Sequence, residues 1–112
     1  AHETRQFRTD VPRKENALLS IATQWSEIEG CSFAYDPFRI RGKMVAKLAK
    51  DRDAEGVVFA ILKFCDTEEY DAPILLDDIH DAGLKAVTIE IDQESGSIEQ
   101  IRTRLQTFAE ML

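Results

Sequence analysis

The sequence lacks several features that would define a function by themselves. No apolar run approaches the roughly 18–20 residues needed to span a bilayer, and the start of the chain has no apolar segment of a secretory signal. Positive charge is also scarce, with 14 basic against 21 acidic residues and a net charge of −7. Nucleic-acid binders rely on clustered Lys and Arg. These absences argue against a membrane protein and a DNA or RNA binder, and predict a cytoplasmic protein.

Nucleotide and nucleophile motifs are missing as well, since the chain has no G-x-G-x-x-G, no G-x-x-x-x-G-K-[ST] and no G-x-S-x-G. Only two cysteines occur, Cys31 and Cys65, with no C-x-x-C and no His at zinc-finger spacing. A self-contained zinc site is therefore not expected, and without a secretory signal neither is a structural disulfide. Isolated cysteines in a cytosolic chain are most often small buried apolar residues.

What is present is the pattern of one globular domain. The chain has 112 residues, of which 44% are hydrophobic and 31% charged, in the range of ordinary soluble domains. We treat residues 1–12 as a polar lead and residues 13–112 as a single domain. Within it, helical and extended patterns alternate. Helices are expected at about 12–29, 38–51, 72–82 and 98–112, and strands at 31–35, 56–64 and 85–91.

The order α-β-α-β-α-β-α with short connections predicts a Rossmann- or flavodoxin-like parallel sheet with helices on both faces. The run at 56–64 is almost continuously apolar, which predicts a strand covered on both faces. Three strands are fewer than the five or six of natural doubly wound domains. We therefore expect an incomplete domain of a larger subunit, although removal of an initiator Met would also explain a chain that begins with Ala1.

Ligands of open parallel sheets bind at the carboxyl ends of the strands, so residues 35–37, 63–66 and 92–96 are the candidates. Cys65 stands out because it leaves a buried strand close to the start of a helix, where a negatively charged thiolate is favoured. The alternative is a buried structural thiol, and position alone does not separate the two. A core role is favoured over ligation for Cys31, and solvated charges over anion binders for Arg102 and Arg104.

The second half of the chain carries a resemblance. The segments G-V-V-F, K-F-C-D, P-I-L-L, A-G and E-I-D, followed by the terminal E-Q-I-R-T-R-L-Q-T-F-A-E-M-L, resemble the C-terminal part of one family. It is the D-component family shared by 2-hydroxyacyl-CoA dehydratases and benzoyl-CoA reductases. These segments cover about half of the chain, and the spacing from K-F-C to the terminal motif makes the match fairly specific.

The resemblance implies an anaerobic cytosolic enzyme with longer subunits, which pair and receive single electrons from a separate ATP-hydrolysing activator protein. It also implies iron–sulfur clusters, typically [4Fe-4S], held by cysteines from more than one domain. In the dehydratases a ketyl radical forms on the thioester carbonyl of a 2-hydroxyacyl-CoA and hydroxide leaves, giving an enoyl-CoA. In the reductases the electrons enter an aromatic ring. We favour the dehydratase, without a residue that discriminates.

Carried over by residue, Cys65 matches the cluster cysteine of the C-terminal domain, and its fellow ligands would lie outside this chain. The family commonly has Pro two positions later, where this sequence has Thr67, so the loop geometry is expected to differ. Cys31 is a second candidate ligand without a motif, and Arg102 and Arg104 match terminal arginines expected to be structural or interfacial.

The alternative of another class is a small flavodoxin-like module that binds or signals without catalysis. Receiver domains share the α/β alternation, but they carry an acidic pair early and a phospho-accepting Asp at a central strand end. Here that strand end is Cys65, which counts against the module.

Overall fold

The computed structural model describes residues 10–31, 37–92 and 98–112, so residues 1–9 of the predicted polar lead lie outside it. In these ranges the order of elements is α-α-β-α-β-α. The helices are α1 (Ala17–Ser26), α2 (Ile40–Asp51), α3 (Asp66–Asp81) and α4 (Ile98–Met111), and the strands are β1 (Gly56–Leu62) and β2 (Lys85–Ile91). No helix in the described ranges is long and apolar enough to cross a membrane.

The two strands form a parallel sheet, as the sequence predicts. The register runs from Gly56 opposite Lys85 to Leu62 opposite Ile91, and α3 is the crossover between the strands. Of the strand predicted at 31–35, residues 32–35 lie outside the described ranges, and Cys31 is not in a strand. The described sheet therefore has two strands.

Helices cover both faces of this sheet. A Cβ placed on Gly56 would meet the side chains of Phe108 and Leu112, so α4 lies on the face that Gly56 presents. The helix α3 contacts both strands. It covers the opposite face, because Ile61 is buried whereas the neighbours that alternate with it are exposed. The prediction of a parallel α/β sheet with helices on both faces is confirmed.

The expectation that β1 is covered on both faces is wrong. Val58 and Leu62 point to the same face and are 42% and 48% exposed. On that face α4 packs against β2 and approaches β1 at Gly56. An apolar strip of the sheet is consequently open to solvent.

The first helix begins later and ends earlier than its pattern predicts. Its N-cap is Asn16, whose Oδ1 accepts a hydrogen bond from the Leu19 amide at 2.7 Å, and the last helical residue is Ser26. Its apolar side chains do not enter the core, since Leu18 and Trp25 are 79% and 55% exposed. In α1 only Ser20 is buried.

The third helix begins earlier than predicted. The acidic segment expected as a loop is its first turn, with Asp66, Glu68 and Glu69 at the positively polarised N-terminus of the helix. Pro73 therefore lies inside α3 rather than in its first turn. Leu75 and Ile79 are buried as their spacing predicts.

Small residues mediate the contact between α2 and α3. Gly42, Ala46 and Ala49 are the buried residues of α2, and a Cβ on Gly42 would overlap the Asp78 carboxylate. The two helices approach closely because Gly42 has no side chain. This contact fixes α2 against the helix that follows Cys65.

Candidate functional site

A tight turn connects β1 to α3 and presents Cys65 at the carboxyl edge of the sheet. The Lys63 amide continues the ladder by donating to the Ile91 carbonyl at 3.0 Å, and the Cys65 amide donates to the Leu62 carbonyl at 3.0 Å. Phe64 adopts a left-handed backbone conformation, with φ of 66°, at the position where such a turn favours Gly or Asn. The chain thus reverses within three residues of the end of β1.

Cys65 is the N-cap residue of α3. Its carbonyl accepts the amide hydrogens of Glu68 and Glu69, both at 3.0 Å, which starts the helix. Its Sγ atom lies 3.5 Å from the Thr67 hydroxyl, and the residue is half-buried. The thiol is held at a defined position at the edge where ligands of parallel sheets bind.

An arginine from α2 holds the first two turns of α3. Arg41 donates from Nη2 to Glu68 Oε2 at 2.6 Å and from Nη1 to Asp71 Oδ2 at 2.9 Å. The side chains of Arg41 and Glu68 are only 18% and 12% exposed, so water screens this pair weakly. We call these three residues the Arg41 clamp.

The positive charge of Arg41 is insensitive to pH. Burial acts to lower the pKa of Arg41, but the hydrogen bonds and negative charges of Glu68 and Asp71 together raise it above its ordinary value. The guanidinium therefore stays positive at every pH at which the protein is handled. Two carboxylates share this cation, which leaves the start of α3 with an excess of negative charge.

A groove of about 290 Å³ lies at the carboxyl end of β2, lined in part by Lys63, Asp92, Gln100 and Arg104. Lys63 and Asp92 form an exposed ion pair at 3.6 Å across the two strand ends. The structure thus brings together Lys63 and Asp92, one residue from each of the predicted segments 63–66 and 92–96. Residues 35, 36 and 93–96, also predicted, lie outside the described ranges.

The other predicted site residues are Arg102, Arg104 and Cys31, and they lie in different parts of the structure. Arg102 is exposed and pairs with Glu99 at 3.4 Å on the same helix, whereas Arg104 reaches the groove just described. Cys31 is half-buried. A Cβ placed on its neighbour Gly30 would overlap the Met44 side chain, so the residue before Cys31 lies close to α2.

No group of three or more His, Cys, Asp and Glu side chains that could hold a metal ion occurs in the described part of the chain. An iron–sulfur cluster needs several cysteine ligands, and the sequence contains two cysteines. Among the described residues, the half-buried Cys65 could supply one ligand to a cluster whose other ligands come from elsewhere. The described residues do not form a complete site.

Sequence reasoning missed the Arg41 clamp. Glu68 and Asp71 are three residues apart on one helix, a spacing that places them on one face, but we expected Glu68 in a loop. Arg41 lies 27 residues before Glu68, and no motif links the two. The one signal in the sequence is the acidic segment directly after Cys65, which is typical of a helix N-terminus.

The comparison with known families gives the class of protein. The whole chain, residues 1–112, matches the family described as 2-hydroxyglutaryl-CoA dehydratase, D-component. The chain belongs to this family, which confirms the resemblance noted in its second half and extends it to the first half.

Within this family, the chain is similar to subunits of both dehydratases and a reductase. The chain is 43% identical to the (R)-phenyllactyl-CoA dehydratase beta subunit of Clostridium sporogenes and to the lactoyl-CoA dehydratase beta subunit of Anaerotignum propionicum, in both cases over its full length. It is 28% identical over 84% of its length to a benzoyl-CoA reductase subunit of Thauera aromatica. The chain spans about 30% of the length of the two dehydratase subunits and 24% of the reductase subunit.

Proposed function

We propose that this chain is part of a 2-hydroxyacyl-CoA dehydratase subunit, a lyase that removes water from a 2-hydroxyacyl-CoA to give an enoyl-CoA. The reaction would pass through a ketyl radical on the substrate after ATP-driven electron transfer. The observation that carries the proposal is the match of all 112 residues to the D-component family. The placement of Cys65 at the carboxyl edge of a parallel sheet supports it.

Cys65 is the residue of this chain that would bind a [4Fe-4S] cluster, with the other ligands supplied from outside the chain. Three features support this role: the thiol is partly accessible, its backbone is fixed as the N-cap of α3, and the clamp holds the first turns of that helix. When bound, such a cluster supplies single-electron transfer. Cys31 is the weaker candidate for a further ligand.

The two residues that precede Cys65 at this edge are exposed to solvent. Phe64, next to the thiol, extends its ring into solvent and Lys63 lies over it at 5.3 Å. Covering this edge with another part of the protein would exclude water, which radical chemistry requires. The exposed apolar surface around β1 is suited to such a contact.

Partners follow from the same proposal. The relatives are named as beta subunits, which supports a second, related subunit, and the family resemblance supports an ATP-hydrolysing activator and an acyl-CoA substrate in an anaerobic cytoplasm. Benzoyl-CoA reduction is the second candidate activity. The identity of 43% to two dehydratase subunits against 28% to the reductase subunit favours dehydration.

The proposal is tested in the full-length subunit, reconstituted anaerobically with iron and sulfide. We expect Cys65→Ala to lower the bound iron and to abolish dehydration of a 2-hydroxyacyl-CoA, because removal of a thiolate leaves a cluster incompletely ligated. The measurements are iron per subunit, the visible spectrum of the cluster and turnover.

Cys31→Ala, which removes the other cysteine of the chain, is the comparison variant, because the sequence favours a core role for Cys31 over ligation. We expect it to retain the wild-type iron content. Undiminished iron and activity in Cys65→Ala would overturn the assignment of Cys65, and loss of iron in Cys31→Ala would add Cys31 to the ligand set.

A further inference from the structure

The Arg41 clamp joins two helices that are far apart in sequence. Its guanidinium comes from α2 and its carboxylates come from the first two turns of α3. Each of the two nitrogen atoms that form the fork binds a different carboxylate, at 2.6 and 2.9 Å. One side chain thereby ties α2 to the helix that Cys65 begins.

The clamp acts on a residue whose amide is hydrogen-bonded to the Cys65 backbone. The Glu68 amide donates to the Cys65 carbonyl at 3.0 Å, while the Glu68 carboxylate is held by Arg41. A rotation or fraying of the first turn of α3 would break both bonds and move the thiol. Because helix termini fray readily, a tie at the first turn restricts this motion.

We infer that Arg41 is a positioning residue for the Cys65 thiol, acting through Glu68 and Asp71 on the first turns of α3. The inference rests on the proposed role of Cys65 as a cluster ligand. Arg suits this role and Lys does not, because a planar guanidinium binds two carboxylates at once whereas an ammonium is a point charge without that fork. Arg41→Lys should therefore retain part of the positioning of the Cys65 thiol that Arg41→Met loses.

The experiment compares Arg41→Met, Arg41→Lys and Lys47→Met in the full-length subunit. Lys47 is exposed on the same helix and controls for the loss of one positive charge from α2. The first readout is the rate at which iodoacetamide alkylates Cys65 in the metal-free protein, located by peptide mass spectrometry. The second is the visible and electron-paramagnetic-resonance spectrum of the reconstituted cluster.

We expect Arg41→Met to change the alkylation rate of Cys65 and to weaken cluster retention by on the order of tenfold, the usual effect of removing a partner that orients a ligand. Arg41→Lys should fall between Arg41→Met and the wild type, and Lys47→Met should match the wild type. A purely structural role would lower the thermal midpoint but leave alkylation and spectrum unchanged at temperatures well below it. That result would overturn the inference.

Cys65→Ser, measured alongside, separates the two hypotheses. If Cys65→Ser keeps the wild-type cluster spectrum, the proposed ligand role fails, and the inference about Arg41 fails with it. If Cys65→Ser loses the spectrum while Arg41→Met keeps both the spectrum and the alkylation rate of the wild type, only the inference about Arg41 fails.

Discussion

At the scale of single residues, the sequence predicts the position of Cys65 in the turn after β1 but not the backbone conformation of Phe64. The end of an apolar run predicts that Cys65 lies at a strand end, and it does so at the N-cap of α3. The left-handed backbone of Phe64 leaves no mark in the sequence, because an aromatic residue at positive φ is unusual. Such conformations persist where the surrounding structure over-determines them, and they cluster at functional sites.

The strain at Phe64 leads to a test at the same scale. Replacing Phe64 with Asn should raise the free energy of unfolding by up to about 1 kcal/mol, because Asn tolerates the left-handed region that costs most residues roughly 1–2 kcal/mol. Tyr70→Asn is the control, since Tyr70 is equally exposed, at 82%, but lies within a helix. Urea unfolding at low protein concentration, followed by far-ultraviolet circular dichroism, measures both variants. A Phe64→Asn variant no more stable than Tyr70→Asn would contradict the strain.

At the scale of secondary-structure elements, sequence patterns identify the helices better than their boundaries. The apolar spacing of α3 predicts the burial of Leu75 and Ile79, but the sequence predicts a loop for the acidic residues that form its first turn. Charge alone does not distinguish a solvated loop from a helix N-terminus that acidic side chains stabilise. The close contact of α2 with α3 depends on Gly42 facing Asp78, and such a pairing between distant residues is invisible in a single sequence.

The contact between Gly42 and Asp78 can be tested by substitution. Gly42→Ala should lower the free energy of unfolding by about 1–3 kcal/mol, the usual cost of overpacking, because the added methyl group would overlap the Asp78 carboxylate. In an Asp78→Ala background the same substitution should cost much less, since the obstruction is gone. Asp78→Ala is itself tolerable, because Asp78 Oδ2 is buried without a hydrogen-bond partner in the described ranges. Equal costs of Gly42→Ala in both backgrounds would show that Asp78 is not the obstruction.

At the scale of the whole molecule, many large apolar side chains of the described residues are exposed to solvent instead of being packed in the core. The radius of gyration is 16.2 Å, against about 13 Å for a compact domain of about 100 residues. Leu18, Ile21 and Trp25 of α1 and Val58 and Leu62 of β1 are all exposed. A soluble monomer seldom presents so much apolar surface, which typically marks an interface.

The exposed surface predicts how the 112-residue chain behaves when it is produced alone. We expect it to bind the dye ANS and to self-associate as its concentration rises. The triple variant Leu18→Gln, Ile21→Gln and Trp25→Gln should reduce both effects without lowering the thermal midpoint, because these side chains contribute little to the core. Analytical ultracentrifugation and dye fluorescence provide the measurements. A wild-type chain that stays monomeric, binds no dye and melts cooperatively would contradict this prediction.

The amino-acid pattern was sufficient for the α/β class, for a parallel sheet with strands within 56–64 and 85–91, for the placement of Cys65 after a strand and for the family. These properties depend on local periodicity and on short motifs, which a sequence displays directly. The tertiary structure was needed for the Arg41 clamp, the contact of Gly42 with Asp78, and the exposure of α1 and of one face of β1. Each of these depends on which distant segments meet, and packing rather than local preference determines that.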